Sequence, residues 1–141
     1  MTKLLSITAQ PDAPVACDMT DAQDTLAERF AEYRRLFEHA LVSRSSTDDV
    51  TTFRLAARPG VAEWSLDLVR REAACCPYLS YEVDDDGEQI VWSAIGFGGS
   101  DMAVLDDFLT GSATADVSSR DMAEDLEARG GVPIIVPAAE G

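Results

Sequence analysis

Three cysteines and one histidine are the residues of this sequence best suited to chemistry. Cys75 and Cys76 are adjacent, Cys17 lies far from them in the chain, and His39 is the one histidine. Thiolates select soft metal ions, and three thiolates with one imidazole form a ligand set that zinc accepts. We therefore predict that Cys17, Cys75 and Cys76 bind zinc or another soft thiophilic ion, with His39 as an optional fourth ligand. The spacing of these residues matches no standard zinc signature.

Other roles for the thiols stay open at this point. Free cysteines are often small buried hydrophobes, so a purely structural role competes with metal binding. A thiol redox protein that uses Cys75 or Cys76 is a third alternative. An odd number of cysteines with two adjacent is a poor disulfide framework, which favours a reducing compartment. Pro77 disfavours helical geometry at the residue before it, so it should turn Cys76 away from the helix that holds Cys75.

Signals for other chemistries are weak. The glycine-rich segment 96–99 lacks the lysine of a phosphate-binding loop, and the acidic segment 84–88 lacks the ligand spacing of an EF-hand. No run of the GxSxG or HExxH type is present, and a catalytic triad would have to use His39. We therefore favour a binding protein over an enzyme and assign no catalytic residue. A dimeric interaction or regulatory module with structural cysteines is the alternative.

The charge of the chain excludes two classes of partner. The sequence has 11 basic and 26 acidic residues and a net charge of −15. Nucleic-acid binding and docking on anionic membranes both require clustered basic side chains, so we expect neither. No apolar stretch approaches the ~20 residues that span a bilayer, and the apolar stretch 4–7 is too short for a signal-peptide core. These features predict a cytoplasmic protein.

The length of 141 residues predicts a single domain over 1–141. Residues 1–19 are expected to form an extended arm, and 20–45 a region dominated by a long helix over 21–42. Thr20 and Gln23 have the spacing of a capping box for that helix. Residues 50–109 should form an α/β core, and 119–137 a C-terminal helix with a possible edge strand.

Within the core, the hydrophobic period changes twice. Alternation predicts strands over 50–57, 78–83 and 89–95, and a period of 3.6 residues predicts a helix over 61–75. A short helix should follow Ser100. This order predicts an α+β fold with a ferredoxin-like split βαβ arrangement, preceded by the long N-terminal helix. We expect an apolar sheet face to remain exposed, and a homodimer to cover it.

The run Cys75-Cys76-Pro77-Tyr78 resembles the mark of a bacterial family. This family comprises small, mostly uncharacterised proteins, common in actinobacteria, in which a Cys-Cys-Pro-aromatic run leads into a strand. The resemblance covers roughly 16–109 and includes the segments 33–37 and 53–55. It implies no established activity and hints at the handling of heavy metals. Similar proteins often carry Phe at the positions of Tyr78 and Tyr81, and a Gly-Pro-x-Gly turn in place of 96–99.

Overall fold

The structure, a computed structural model, describes residues 1–99, 102 and 118–137. These residues form a small α+β fold. Its elements in chain order are β1 (Thr2–Ile7), β2 (Cys17–Asp18), α1 (Leu26–Ala40), β3 (Leu41–Ser46), β4 (Val50–Ala56), α2 (Val61–Cys75), β5 (Ser80–Asp85), β6 (Gln89–Ile95), α3 (Ser119–Ala128) and β7 (Ile134–Ile135).

The main sheet has five strands in the order β1-β5-β6-β4-β3, and every neighbouring pair in it is antiparallel. A second, two-stranded sheet pairs β2 with β7 in parallel. The prediction of a ferredoxin-like fold preceded by a long N-terminal helix is therefore wrong. The first helix follows a strand, and the predicted extended arm contributes that strand to one edge of the sheet.

Helix α1 is shorter at both ends than the predicted helical region. Its capping box is Thr25 with Glu28, whose side chains each accept from the other residue's backbone N–H, and not Thr20 with Gln23. Both pairs have the required spacing, but only Thr25 directly precedes the apolar stripe that packs on the sheet. The backbone N–H of Thr20 is bound instead to the Asp18 carboxylate. At the other end Leu41 is extended, so 41–46 form β3 rather than helix or loop.

The elements predicted on either side of Pro59 and Pro77 are confirmed. Strand β4 and helix α2 begin and end within one residue of their predicted bounds. Strands β5 and β6 form a hairpin. Helix α3 matches the helix predicted in 119–137, and the possible edge strand is β7, which pairs with β2. The helix predicted after Ser100 lies outside the described residues except for Met102.

Helices α1 and α2 cover one face of the sheet, and the other face is mostly polar, with Val91 and Ile95 of β6 among its apolar residues. Leu36 and Leu68 of these helices are fully buried against the strand residues Leu55 and Val83. On the opposite face, cross-strand pairs include the hydroxyls of Thr52 and Ser93, 3.1 Å apart. The described residues therefore do not provide the exposed apolar sheet face from which a homodimer was expected, and the homodimer stays a prediction. Within the described ranges no helix has the length and apolar character needed to cross a bilayer.

The loop after β6 packs tightly against the turn between β3 and β4. The backbone N–H of Gly96 donates to the carbonyl of Asp49 at 2.7 Å, and the Thr51 hydroxyl donates to the carbonyl of Phe97 at 2.8 Å. At Gly98 the approach is closer still, because a Cβ built there would overlap the carbonyl of Asp48. No side chain fits at position 98 without a shift of the backbone, so glycine is required there.

We expect Gly98→Ala to lower the free energy of unfolding by about 1–3 kcal/mol, the usual cost of overpacking. Urea denaturation monitored by circular dichroism measures this loss of stability. Gly99→Ala is the matched control, because a Cβ at Gly99 meets nothing closer than the Thr47 carbonyl at 3.5 Å. Equal losses in the two variants would contradict the close approach at Gly98.

Candidate functional site

A cavity of about 120 Å³ lies between the inner face of the sheet, α1 and the C-terminal segment. Its position follows from the register of the central strands. Ala94 of β6 pairs with Tyr81 of β5 on one side and with Thr51 of β4 on the other, and it follows Trp92 by two residues on the same face. A methyl group among larger side chains leaves space above the sheet. The lining residues include Leu26, Phe30, Tyr33 and Phe37 of α1, Phe53 of β4, Tyr81 of β5, Trp92 and Ala94 of β6, Leu126 of α3, and Ile134 of β7.

Four aromatic rings form a continuous wall of this cavity. Trp92 stacks on Tyr33 with ring centroids 5.9 Å apart and planes within 5°, and Phe53 lies 5.2 Å from Trp92. Phe37 contacts both Phe53 and Tyr33, at 5.0 and 5.7 Å. Packed aromatic pairs of this kind fix one another's orientation. The wall is therefore preformed, and protein rings already cover the Trp92 indole.

Two residues that line the cavity each carry a buried polar atom without a hydrogen-bond partner among the described residues. Tyr81 and Trp92 are each 3% exposed, and neither the Tyr81 Oη nor the Trp92 Nε1 has a hydrogen-bond partner among the described residues. Burial raises the pKa of Tyr81 well above its ordinary value of 10.0, so the hydroxyl keeps its proton at neutral pH. Both groups are thus buried hydrogen-bond donors. From the sequence these aromatic residues are interpreted as core or sheet packing, with a dimer face as the role of any exposed subset.

The charged groups next to the cavity are paired with one another. Arg29 is 2% exposed, and its guanidinium donates two hydrogen bonds of 2.6 Å to the Asp24 carboxylate and one of 2.5 Å to Glu72. Arg71 bridges Asp24 and Glu32, at 3.0 and 2.7 Å. These pairs join α1 and its N-terminal approach to α2. They leave Arg29 no free carboxylate-binding edge toward the cavity.

Two of the three cysteines line the same cavity, and these two are joined. Cys17 and Cys76 form a disulfide with their Cα atoms 4.4 Å apart, and both line the cavity. Cys76 has left helical geometry, with φ −122° and ψ 66°, as predicted from Pro77. The disulfide attaches β2 to the end of α2. The expectation of unpaired thiols is wrong, because adjacent cysteines on a helix end can point to different neighbours.

The predicted metal ligands are only partly brought together. Cys17 and Cys76 share the disulfide, Cys75 is buried with its sulfur 3.9 Å from Arg29 Nη2, and His39 is exposed in the last turn of α1. Within the described part of the chain, no three His, Cys, Asp or Glu side chains are grouped to hold a metal ion. Disulfide sulfurs are not thiolates, so binding by Cys17, Cys75 and Cys76 stays a prediction for the reduced chain.

Cys75 should be nearly unreactive in the folded protein. Burial raises the pKa of its thiol above the ordinary value of 9.0, although nearby Arg29 partly opposes this. The thiolate is the reactive form, so both low access and a raised pKa slow attack on a thiol reagent. We expect Ellman's reagent to detect no rapidly reacting thiol in the native protein and one after denaturation. Three should appear after reduction. Three thiols in the unreduced denatured chain would contradict the disulfide.

Comparison of the chain with protein-family models, with curated proteins and with solved structures found no match. The resemblance of the Cys-Cys-Pro run to an actinobacterial family therefore stays a prediction.

Proposed function

We propose that the protein is a small binding protein whose cavity holds one small, mostly apolar molecule. The observation that carries this proposal is the cavity of about 120 Å³ with its preformed aromatic wall. An engineered apolar cavity of about 150 Å³ is known to bind benzene or xenon. Space of this size inside a packed protein therefore suits a single-ring molecule.

The character of the lining supports binding rather than catalysis. Ligand sites in proteins are mostly apolar and rich in aromatic side chains, and the lining of this cavity has that character. The charged groups that line it, Arg29 and Glu72, are hydrogen-bonded to each other. Paired charges of this kind position helices and are poorly placed to exchange protons with a ligand.

Binding of soft ions by the thiols has less support from the geometry than binding of an apolar molecule. Binding by all three sulfurs requires reduction of the Cys17–Cys76 disulfide. It also requires Cys75, which is buried with only 4% of its surface exposed, to become accessible. Anaerobic titration of the reduced chain with Zn(II) and arsenite, with Cys17→Ser as the comparison, tests that prediction separately.

The two tryptophans of the chain allow a direct test with benzene as the probe. Trp92 lines the cavity, whereas the Trp64 Nε1 donates to Glu32 at 2.7 Å outside it. In ¹H–¹⁵N spectra of the oxidised protein, we expect benzene to shift the Trp92 indole signal saturably and leave that of Trp64 in place. Trp64→Phe assigns the two signals. Bound ligand should also raise the melting temperature.

Ala94→Leu should abolish the effect of benzene by filling the space above Ala94. Ser93→Leu is the matched control, because Ser93 is the adjacent residue on the opposite face of β6. We expect it to leave the benzene shift unchanged. The proposal fails if benzene produces no saturable shift in the wild-type protein, or the same shift in Ala94→Leu.

A further inference from the structure

We infer that the Cys17–Cys76 disulfide is a redox switch for the cavity, which binds its ligand tightly when the disulfide is formed and weakly when a dithiol reductant has opened it. The inference rests on the proposed function and adds the regulation of the same site. It is carried by the position of the disulfide, because both of its residues line the cavity. A change at this bond therefore acts directly on the cavity wall.

The cavity lies where two hydrophobic clusters meet. The larger cluster fills the space between the main sheet and helices α1 and α2, and the smaller one joins α1 to α3. Trp92 of the larger cluster and Leu126 of the smaller one both line the cavity. Ile134 of β7 packs against both clusters and lines the cavity as well. One side of the cavity is therefore formed by α3 and β7, which lie outside the main sheet.

Strand β2 connects this side of the cavity to the end of α2. The backbone N–H groups of Cys17 and Met19 donate to the carbonyls of Pro133 and Ile135, at 2.9 and 2.8 Å, and hold β7 against β2. The disulfide then attaches β2 to α2 through Cys76. Two-stranded pairs are marginally stable on their own. The position of the β2–β7 pair therefore depends on its attachments, of which the disulfide is the cross-link.

The contacts that remain after reduction predict a loosened wall rather than an unfolded protein. Met19 is 3% exposed in the larger cluster, and the backbone N–H of Gln10 donates to the carbonyl of Pro77 at 2.9 Å. These contacts and the ladders of the main sheet do not involve the disulfide. Reduction should therefore free the β2–β7 pair to move while the main sheet keeps its fold. Ligand affinity falls with the share of molecules in which the wall is closed.

The reduction is a thiol–disulfide exchange in two steps. Cys17 is partly exposed and Cys76 is 3% exposed, so a thiolate of the reductant attacks the Cys17 sulfur. A mixed disulfide forms on Cys17, and the Cys76 sulfur leaves as a thiolate and takes up a proton. The second thiol of the reductant then displaces Cys17, which is protonated in turn, and the reductant becomes a cyclic disulfide. The protein gains two electrons and two protons, and the reverse exchange restores the cross-link.

The test uses benzene as the probe and dithiothreitol as the reductant. We expect benzene, followed through the Trp92 indole signal, to bind the reduced wild-type protein about tenfold more weakly than the oxidised protein, within the usual range of coupling between sites. Coupling is reciprocal, so benzene should raise the ratio of oxidised to reduced protein in dithiothreitol mixtures by up to the same factor. Acid quenching, alkylation and mass spectrometry measure that ratio.

Two variants and two further signals serve as controls. Cys75→Ala keeps the disulfide and should repeat both effects, whereas the benzene affinity of Cys17→Ser should not respond to dithiothreitol. On reduction the amides of Cys17 and Met19 should exchange faster, while those of β6, the central strand of the main sheet, keep their protection. The indole signal of Trp64, in the first turn of α2, should stay in place.

If benzene binds the reduced protein as tightly as the oxidised protein, or more tightly, the inferred switch is wrong and the binding function stands. Loss of the Trp64 signal or of the protection of β6 on reduction would also overturn the switch, because the disulfide would then hold the whole fold rather than the cavity wall. If benzene does not bind the oxidised protein, the proposed function itself fails.

Discussion

Arg29→Met should lower the free energy of unfolding by about 3–5 kcal/mol, the usual cost of removing one member of a buried ion pair. Arg29 is 2% exposed, and its guanidinium satisfies the carboxylates of Asp24 and Glu72 at the junction of α1 and α2. Methionine has a similar length and keeps much of the packing. The loss in free energy of unfolding therefore measures the cost of leaving two partly buried carboxylates without their cation. Urea denaturation at neutral pH gives the value.

Arg71→Met is the matched control for this prediction. Arg71 also bridges α1 and α2 and also contacts Asp24, but its side chain is 21% exposed. Partly solvated pairs contribute little, so we expect a loss of about 1 kcal/mol. Equal losses in the two variants would show that burial of Arg29 adds nothing.

The pH dependence gives a second check on the same pair. Burial alone would raise the pKa of Asp24, but the hydrogen bonds and charge of Arg29 outweigh it, and the pKa lies below the ordinary 3.8. A carboxyl group whose pKa is lower in the folded state than in the unfolded state stabilises the fold at pH values above its unfolded-state pKa. This stabilisation is lost as the pH falls toward the folded-state pKa. The difference in stability between wild type and Arg29→Met should therefore narrow below pH 3.8. A constant difference down to pH 2 would contradict the assignment to Asp24, since the ordinary pKa is 3.8.

Cys17→Ser should cost about 4 kcal/mol of stability. The disulfide closes a loop with a sequence separation of 59, and the chain-entropy account of so long a loop gives this value. It also holds the two-residue strand β2, and through it β7, against the end of α2. Thermal or urea unfolding without reductant measures the loss.

Reductant supplies the control for the disulfide prediction. Wild-type protein in dithiothreitol should match Cys17→Ser, and the variant itself should be insensitive to the reagent. Cys75→Ala removes the free thiol and should keep the full response of the wild type to dithiothreitol. A wild-type protein that is equally stable with and without reductant would show that the cross-link contributes nothing.

The parts of the fold with strong local periodicity were predictable. The period of β4, α2 and the β5–β6 hairpin is set by burial of one face, and proline or Asp-Gly marks their ends. Strand β3 was missed because its sequence, LVSRSS, is mostly polar and exposed at the sheet edge. Its pairing with β4 across the short turn 47–49 specifies it, and its own residues do not alternate between apolar and polar.

The candidate site was less predictable than the fold. The cavity depends on Ala94 lying opposite Tyr81, which only the register of β5 and β6 reveals. The available signal was a small residue on an otherwise large and aromatic strand face. The Cys17–Cys76 pairing likewise depends on where 8–25 crosses the molecule. Those residues lack the periodicity that would place them.

The register shifts at the two edges of the main sheet bear on how the molecule behaves at high concentration. Strand β1 is irregular between Lys3 and Leu5, and strand β3 between Leu41 and Ser43. A bulge bends an edge strand and interrupts its row of free hydrogen-bonding groups, so a second chain cannot extend the sheet in register. Both edges of this sheet are therefore poor templates for fibril growth.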